Sequence, residues 1–189
     1  MNTVEPIRDR RKIETMKKLL KATSKRDYLL FVLGINTGLR ISDLLKLKVE
    51  DVASGNGKRI KDCVYIREKK TDKPKKFGLN KSCQDAIREY LAESGLKPGQ
   101  YLFKSRKGEH PIDRIQAYRV INNAARQVGL EDHIGTHTLR KTFGYHARKQ
   151  GTSIELLQKV FNHSAPSITM RYIGITQDEI DEVYSFVNL

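Results

Sequence analysis

The chain has no tryptophan and only two cysteines, Cys63 and Cys83, among its 189 residues. Two thiols that do not form a Cys-x-x-Cys pair provide neither a zinc site nor a disulfide framework. No apolar run approaches the roughly 20 residues that a membrane-spanning helix needs, and the first residues do not resemble a signal peptide. We therefore expect a cytoplasmic protein that does not enter a membrane.

Two groups of catalytic signatures are also missing. The sequence contains no GxxxxGK[ST] loop, which would hold the phosphates of a nucleotide. It also lacks the clustered carboxylates of a two-metal nuclease. The sequence thus predicts a protein that needs no nucleotide cofactor and no metal.

Positive charge is in clear excess. Lysine and arginine number 36 against 22 acidic residues, which gives a formal net charge of +14. The excess is spread along the whole chain, as expected for a folded surface that contacts a polyanion rather than for a basic tail. Nucleic acid is the favoured partner over an anionic membrane, because no helix combines a basic face with a broad aromatic one.

Helical periodicity dominates the chain, and one segment has the alternation of a β-hairpin. The hairpin is predicted from strands at 62–67 and 75–79, with a lysine-rich tip at 69–73, within a small three-stranded antiparallel sheet. Helices are predicted at 8–21, 24–38, 42–47, 80–94, 113–128, 138–150, 153–162, 166–172 and 177–187. The fold class is therefore α+β and mostly α, in a single domain that covers residues 1–189.

Two arginines occupy positions that suit phosphate binding. His137 and Arg140 lie three residues apart at the start of a predicted helix, where exposed amides attract anions. Taken alone, however, the pair is more simply explained as a capping histidine and a surface arginine. Arg40 follows Gly38, the predicted end of a buried helix, and its planar fork can bind two phosphate oxygens. Asp43 either pairs with Arg40 or orients it.

Tyr172 is a candidate nucleophile because the same sequence also supplies these arginines and histidines. A tyrosine is a weak nucleophile with a free pKa of about 10, so it needs activation. Arginines stabilise a phenolate, His137 can take the phenolic proton, and His163 can bind a non-bridging phosphate oxygen.

Expulsion of an alkoxide also requires an acid, for which the hairpin offers Lys70, Lys69 or Lys73. Physical reasoning alone does not choose among these lysines.

Three segments resemble the conserved motifs of the tyrosine recombinase (phage integrase) family. Residues 37–47 (TGLRISDLLKL) are similar to its first arginine motif, and residues 137–143 (HTLRKTF) to its His-x-x-Arg motif. Residues 161–164 (FNHS), followed by Tyr172, are similar to its C-terminal motif. Order and spacing match over residues 8–189, so the resemblance covers nearly the whole chain.

The resemblance implies a helical catalytic domain that cleaves and rejoins DNA without metal or nucleotide. Its catalytic residues are expected to be Arg40, Lys70, His137, Arg140, His163 and the nucleophile Tyr172, with Asp43 behind them. Lys70 occupies the position of the hairpin lysine and is the expected general acid. Tyr172 is expected to form a 3′-phosphotyrosine on double-stranded DNA, in a tetramer that exchanges strands between two duplexes.

The chain departs from the family pattern in three places. Asn162 replaces the usual glycine, but asparagine is the next best residue for a left-handed helix end, so we expect the turn to survive. Lys141 replaces a common histidine, with no expected consequence. The separate N-terminal domain that usually closes around DNA is expected to be absent.

Two alternatives to a recombinase remain open. A type IB topoisomerase-like enzyme would share the same catalytic residues. A DNA-binding accessory or regulatory protein would have a vestigial site. The predicted terminal helix at 177–187 can dock either on its own domain or on a neighbouring protomer.

Overall fold

The computed structural model describes residues 4–55, 57–69, 72–174 and 184–186. Its main helices are α1 (Arg10–Thr23), α2 (Lys25–Thr37), α3 (Ile41–Leu44), α4 (Val49–Val52), α5 (Lys81–Ser94), α6 (Arg114–Gln127), α7 (Thr136–Lys149), α8 (Ile154–Phe161) and α9 (Pro166–Ile173). Its strands are β1 (Ala53–Ser54), β2 (Arg59–Ile60), β3 (Cys63–Arg67) and β4 (Pro74–Gly78). The prediction of a mostly helical α+β fold is confirmed.

Helix α2 is the centre of the molecule. It begins where the Ser24 side chain accepts a hydrogen bond from the amide of Asp27, and it ends at Gly38, whose φ of 61° is left-handed. Residues 29–33 are fully buried on all sides of the helix. Helices α1, α5 and α7 pack around it. The predicted central helix is therefore confirmed, and its left-handed end points the chain toward Arg40.

The prediction of a three-stranded sheet is wrong. The described residues form two separate two-stranded antiparallel sheets, β1 with β2 and β3 with β4. The change of partner occurs between two consecutive residues: the amide of Lys61 donates to the carbonyl of Val52, whereas the carbonyl of Asp62 accepts from the amide of Leu79. The chain therefore stops pairing with the β1 side at Lys61 and begins pairing with the β4 side at Asp62, so β2 and β3 belong to different sheets.

Two glycines allow α7 to lie close to its neighbours on both sides. A Cβ on Gly34 of α2 would lie 2.4 Å from Cδ1 of Leu139, so α2 and α7 touch there. A Cβ on Gly144 of α7 would lie 2.6 Å from Cγ2 of Ile173 and 2.7 Å from the Phe161 ring. Contacts below 3 Å would force the helices apart. These two glycines therefore hold the start of α7 near the end of α2 and near α9.

The remaining predicted helices agree with the structure within a few residues at their ends, except near residue 42. There α3 is shorter than predicted, and the short helix α4 was not predicted. The predicted helix at 177–187 lies outside the described residues apart from 184–186, which are helical and exposed. None of the helices in the described part of the chain combines the length and the apolar character that crossing a bilayer requires.

Candidate active site

Arg140 connects the two loops that carry the other candidate site residues. Its side chain is buried, with 2% of the residue exposed. One terminal nitrogen donates to the carbonyl of Gly38 at 2.5 Å and the other donates to the carbonyl of Phe161 at 2.6 Å. The guanidinium also lies over the Phe161 ring, 4.5 Å from its centroid. Arg140 therefore fixes the turn before Arg40 and the turn before His163 relative to each other.

Tyr172 lies in the last turn of α9, facing the start of α7. Its hydroxyl oxygen is 3.4 Å from Nδ1 of His137, and its ring centroid is 6.0 Å from the Arg140 guanidinium. Burial raises the pKa of Tyr172, although Arg140 and Arg40 act in the opposite direction. In the protein without DNA, the effect of burial on the pKa of Tyr172 therefore outweighs the expected effect of the arginines, which favour the phenolate. Tyr172 starts as a neutral phenol and needs a base.

His137 has the properties of that base. It is the second residue of α7, so the first turn of the helix places it opposite Tyr172. Burial lowers its pKa, and the neighbouring cations Arg114 and Arg140 lower it further. A histidine whose pKa lies below the ordinary value of about 6.5 is neutral at pH 7 and can accept a proton. The geometry and the charge state of His137 therefore both suit proton transfer from Tyr172.

His163 follows the left-handed end of α8 at Asn162, whose φ is 54°. The turn expected at this asparagine is confirmed. Nδ1 of His163 lies 3.0 Å from the hydroxyl of buried Thr169. In the tautomer in which Nδ1 accepts from that hydroxyl, Nε2 carries the ring proton. Such a neutral ring can donate one hydrogen bond to a phosphate oxygen.

We predict that His163 remains mostly neutral down to about pH 5. Burial lowers the pKa of His163, and the positive charges of Arg140, Arg40 and Lys75 lower it further, to about 4. A ¹³C or ¹⁵N NMR titration of the histidine rings should show one ring that does not protonate between pH 7 and pH 5, and the His163→Gln spectrum identifies it. Titration of His163 near pH 6.5 would contradict this electrostatic picture.

The carboxylate that meets Arg40 is Glu68, a residue that was not predicted. Nη1 of Arg40 lies 2.9 Å from Oε2 of Glu68, which is 2% exposed. Asp43, the predicted partner, instead accepts a hydrogen bond from the backbone amide of Lys69 at 3.0 Å. Glu68 was missed because the same loop also contains Asp72, and nothing in the sequence distinguishes the buried carboxylate from the exposed one.

The described residues include Lys69 and Lys73, but Lys70 lies outside them. The base of the loop is held by two backbone hydrogen bonds: Glu68 donates to the carbonyl of Lys73, and Asp72 donates to the carbonyl of Glu68. Together with the hydrogen bond from the Lys69 amide to Asp43, these bonds hold the base of the loop close to Arg40. The role expected for Lys70 remains a prediction.

Lys141, whose substitution for histidine was expected to have no consequence, makes a contact that was not predicted. It is 4% exposed, and its Nζ lies over the Tyr172 ring, 5.5 Å from the centroid. Burial lowers its pKa. A buried ammonium at that distance attracts the ring face and so helps to hold the tyrosine. The lysine that replaces the usual histidine therefore contacts the candidate nucleophile.

In the described ranges, no group of three or more histidine, cysteine or carboxylate side chains is arranged to hold a metal ion. The donors that surround Tyr172 are instead cationic or neutral nitrogens, which suit an anionic phosphate. The catalytic use of these residues without a metal remains a prediction.

Comparison with known proteins connects this arrangement to one family. The model of the phage integrase family matches residues 10–179. A protein from Bacillus subtilis, named as the probable integrase/recombinase YoeC, is 48% identical over 184 residues, which cover 97% of both chains. A tyrosine recombinase from Pseudothermotoga lettingae is 31% identical over 189 residues, which cover 94% of this chain and 63% of that protein.

A solved structure shows the same fold. The XerH site-specific recombinase, bound to a palindromic difH substrate in a post-cleavage complex, superposes with a TM-score of 0.77 at 21% identity. The match covers 98% of this chain and 54% of that one. The chain thus spans nearly all of the Bacillus subtilis relative but only about half to two thirds of the other two proteins.

Proposed function

Since this chain belongs to the phage integrase family, we propose that it is a site-specific recombinase that cleaves and rejoins double-stranded DNA through a 3′-phosphotyrosine. The observation that carries this proposal is the position of the Tyr172 hydroxyl, 3.4 Å from Nδ1 of His137 and beside the Arg140 guanidinium. A binding site for phosphate alone would need the cations but not the tyrosine. The tyrosine and its adjacent base give this site a nucleophile.

The proposed cleavage step is a transesterification. The Tyr172 oxygen attacks the scissile phosphorus as its proton passes to His137, and a new phosphorus–oxygen bond forms as the bond to the 5′ oxygen breaks. Lys70 donates a proton to the departing 5′ oxygen. The 5′-hydroxyl of another strand later attacks the phosphotyrosine in the reverse sense. One phosphodiester replaces another in each step, so the exchange needs no nucleotide as an energy source.

Three nitrogen-bearing side chains are proposed to bind the scissile phosphate: Arg40, Arg140 and His163. Arginine forks bind two oxygens at once and stabilise the charge of a five-coordinate phosphorus. A neutral His163 adds a hydrogen bond without repelling the arginines. We also propose that residues 1–189 act as one catalytic domain, in which Asp43 supports the site by holding Lys69, and that four protomers assemble on two duplexes. The net charge of +14 favours such close contact with DNA.

Covalent trapping tests the proposed function without knowledge of the target sequence. The probe is a pool of nicked duplexes with randomised sequence beside the nick, so that the short strand released by cleavage diffuses away. We expect a denaturant-resistant protein–DNA adduct whose peptide map places the nucleotide on Tyr172. Binding to the pool without any adduct would instead support the alternative of an accessory DNA-binding protein with a vestigial site.

A Lys70→Ala substitution should slow cleavage by roughly 10²–10⁴-fold, the usual contribution of a positioned general acid. A substrate with sulfur at the 5′ bridging position should restore most of the rate, because a thiolate leaves without protonation. The measurement is the rate at which each variant cleaves the two substrates, both of which carry the DNA sequence trapped above. Lys69→Ala and Lys73→Ala are the matched controls on the same loop. If the sulfur-containing substrate restored the rate of Lys69→Ala or Lys73→Ala but not that of Lys70→Ala, the general acid would be the lysine replaced in the rescued variant.

A further inference from the structure

A buried carboxylate, Glu68, lies between two cationic side chains of the site, Arg40 and Lys75. Oε2 of Glu68 is 2.9 Å from Nη1 of Arg40 and accepts a hydrogen bond from Nδ2 of Asn162 at 3.3 Å. Its other oxygen, Oε1, is 3.5 Å from Nζ of Lys75. The residue is only 2% exposed. Glu68 therefore contacts at least three side chains, among them that of a candidate phosphate-binding arginine.

These contacts join three separate parts of the fold. Arg40 immediately precedes α3, Glu68 and Lys75 belong to the β3–β4 hairpin, and Asn162 ends α8. Lys75 also donates to the carbonyl of Val160 at 2.8 Å, so the hairpin is fastened twice to the end of α8. A shift of the hairpin would thus displace Glu68, and with it the guanidinium that Glu68 holds.

Electrostatics make the presence of this carboxylate informative. A negative charge near a phosphate-binding site opposes phosphate binding, and burial of a carboxylate is costly unless it is paired. The compensating gain is geometric, because the ion pair of 2.9 Å with Glu68 restricts where the Arg40 guanidinium can lie. Misplacement of a catalytic group by about 1 Å can cost on the order of 10²-fold in rate. The gain in rate from a correctly positioned Arg40 can therefore outweigh a small loss of attraction for DNA.

We propose that Glu68 is the positioning residue for Arg40, and that Asn162 orients Glu68 from the side of α8. The proposal rests on the function proposed above and extends it to two residues. It also explains the asparagine that stands where the family usually has glycine. Its side chain supplies a hydrogen bond to Glu68 that glycine cannot supply, while its left-handed conformation preserves the turn into His163.

Single-turnover cleavage of a trapped sequence by Glu68→Gln tests the proposal. We expect the rate to fall by about 10- to 100-fold, with DNA affinity equal to that of the wild type or greater. The control is Asp72→Asn, which removes an exposed carboxylate from the same hairpin and should cleave at the wild-type rate. Wild-type cleavage by Glu68→Gln would overturn the proposal.

A neutral substrate separates positioning from general damage to the fold. A methylphosphonate at the scissile position lacks the negative charge that the Arg40 guanidinium binds. If Glu68 acts through Arg40, the deficit of Glu68→Gln relative to wild type should shrink on this substrate and match the behaviour of Arg40→Ala. In an Arg40→Ala background, Glu68→Gln should add no further loss. An equal deficit on both substrates would show a merely structural role and overturn the proposal.

Asn162→Gly provides an independent variant in case Glu68→Gln does not fold. Glycine adopts a φ of 54° without strain, so the turn is kept and only the amide contact is lost. We expect slower cleavage than wild type, and no additional effect when Glu68→Gln is also present. Additive losses would show that Asn162 does not act through Glu68. Failure of the wild type itself to form an adduct would contradict the proposed function instead, so the two failures are distinguishable.

Discussion

Replacement of Tyr172 by phenylalanine is expected to abolish the covalent adduct while DNA affinity and thermal stability stay close to wild type. The change removes one oxygen atom and keeps the ring. That ring lies edge-on to Phe161 and His163, with centroid distances of 5.6 and 5.1 Å, and below the Lys141 ammonium. Phenylalanine can make the same ring contacts, so the packing around α9 should survive.

Loss of the hydroxyl should cost little stability. Its separation of 3.4 Å from Nδ1 of His137 is long for a hydrogen bond, and burial keeps the phenol neutral by raising the pKa of Tyr172. Cleavage, in contrast, has no other nucleophile at that position. Denaturing gels after incubation with the nicked duplex measure the adduct, and gel shifts and thermal melts measure binding and stability.

Tyr145→Phe is the matched control for this substitution. Tyr145 lies on α7, where the Arg8 guanidinium stacks over its ring at 5.8 Å, and it has no place in the proposed mechanism. This variant should form the adduct as the wild type does. An adduct that persists in Tyr172→Phe would assign the nucleophile to another residue, whereas loss of DNA binding in that variant would give the hydroxyl a role in recognition.

The helical part of the fold was predictable because its determinants are local. The Ser24 cap, the run of apolar residues 29–33 and the left-handed Gly38 all act within one helix, and the structure has this buried helix within one residue of its predicted bounds. The sheet was not predictable to the same degree. Its division into two sheets depends on two consecutive residues with different backbone partners, Lys61 with Val52 and Asp62 with Leu79. No periodicity in the sequence predicts that change of partner.

The site shows the same division between local and distant causes. The motifs that carry Arg140 and Tyr172 identify themselves by residue type and spacing, and the structure brings their side chains together. The partner of Arg40 could not be read in this way, because Glu68 and the Asn162 side chain that contacts it are distant in the sequence and meet only when the hairpin packs against α8. Sequence patterns find the groups that act on phosphate more readily than the groups that hold them.

Arg140→Ala is expected to reduce cleavage by roughly 10³–10⁵-fold, the range seen when an arginine that stabilises a phosphoryl-transfer transition state is lost. Two effects combine here. The charge beside Tyr172 disappears, and the buried carbonyls of Gly38 and Phe161 lose their donors. An unpaired buried acceptor costs about 1–3 kcal/mol. The melting temperature should therefore fall together with the rate.

A lysine at position 140 separates the two effects. Arg140→Lys keeps a positive charge, but its single ammonium lacks the planar fork that spans both carbonyls. We expect it to cleave faster than Arg140→Ala while its thermal stability remains reduced. Arg148→Ala controls for the change in net charge, since Arg148 is an exposed residue of the same helix. All rates are measured below the lowest melting temperature of the set.

The outcome of this comparison decides what Arg140 does. If Arg140→Ala melts lower but cleaves within tenfold of the wild type, Arg140 only braces the loops and the phosphate is bound elsewhere. If Arg140→Lys recovers part of the rate without recovering stability, the charge acts on the reaction independently of the bracing. We expect the second result, because the guanidinium that ties Gly38 to Phe161 also lies against the ring of the proposed nucleophile.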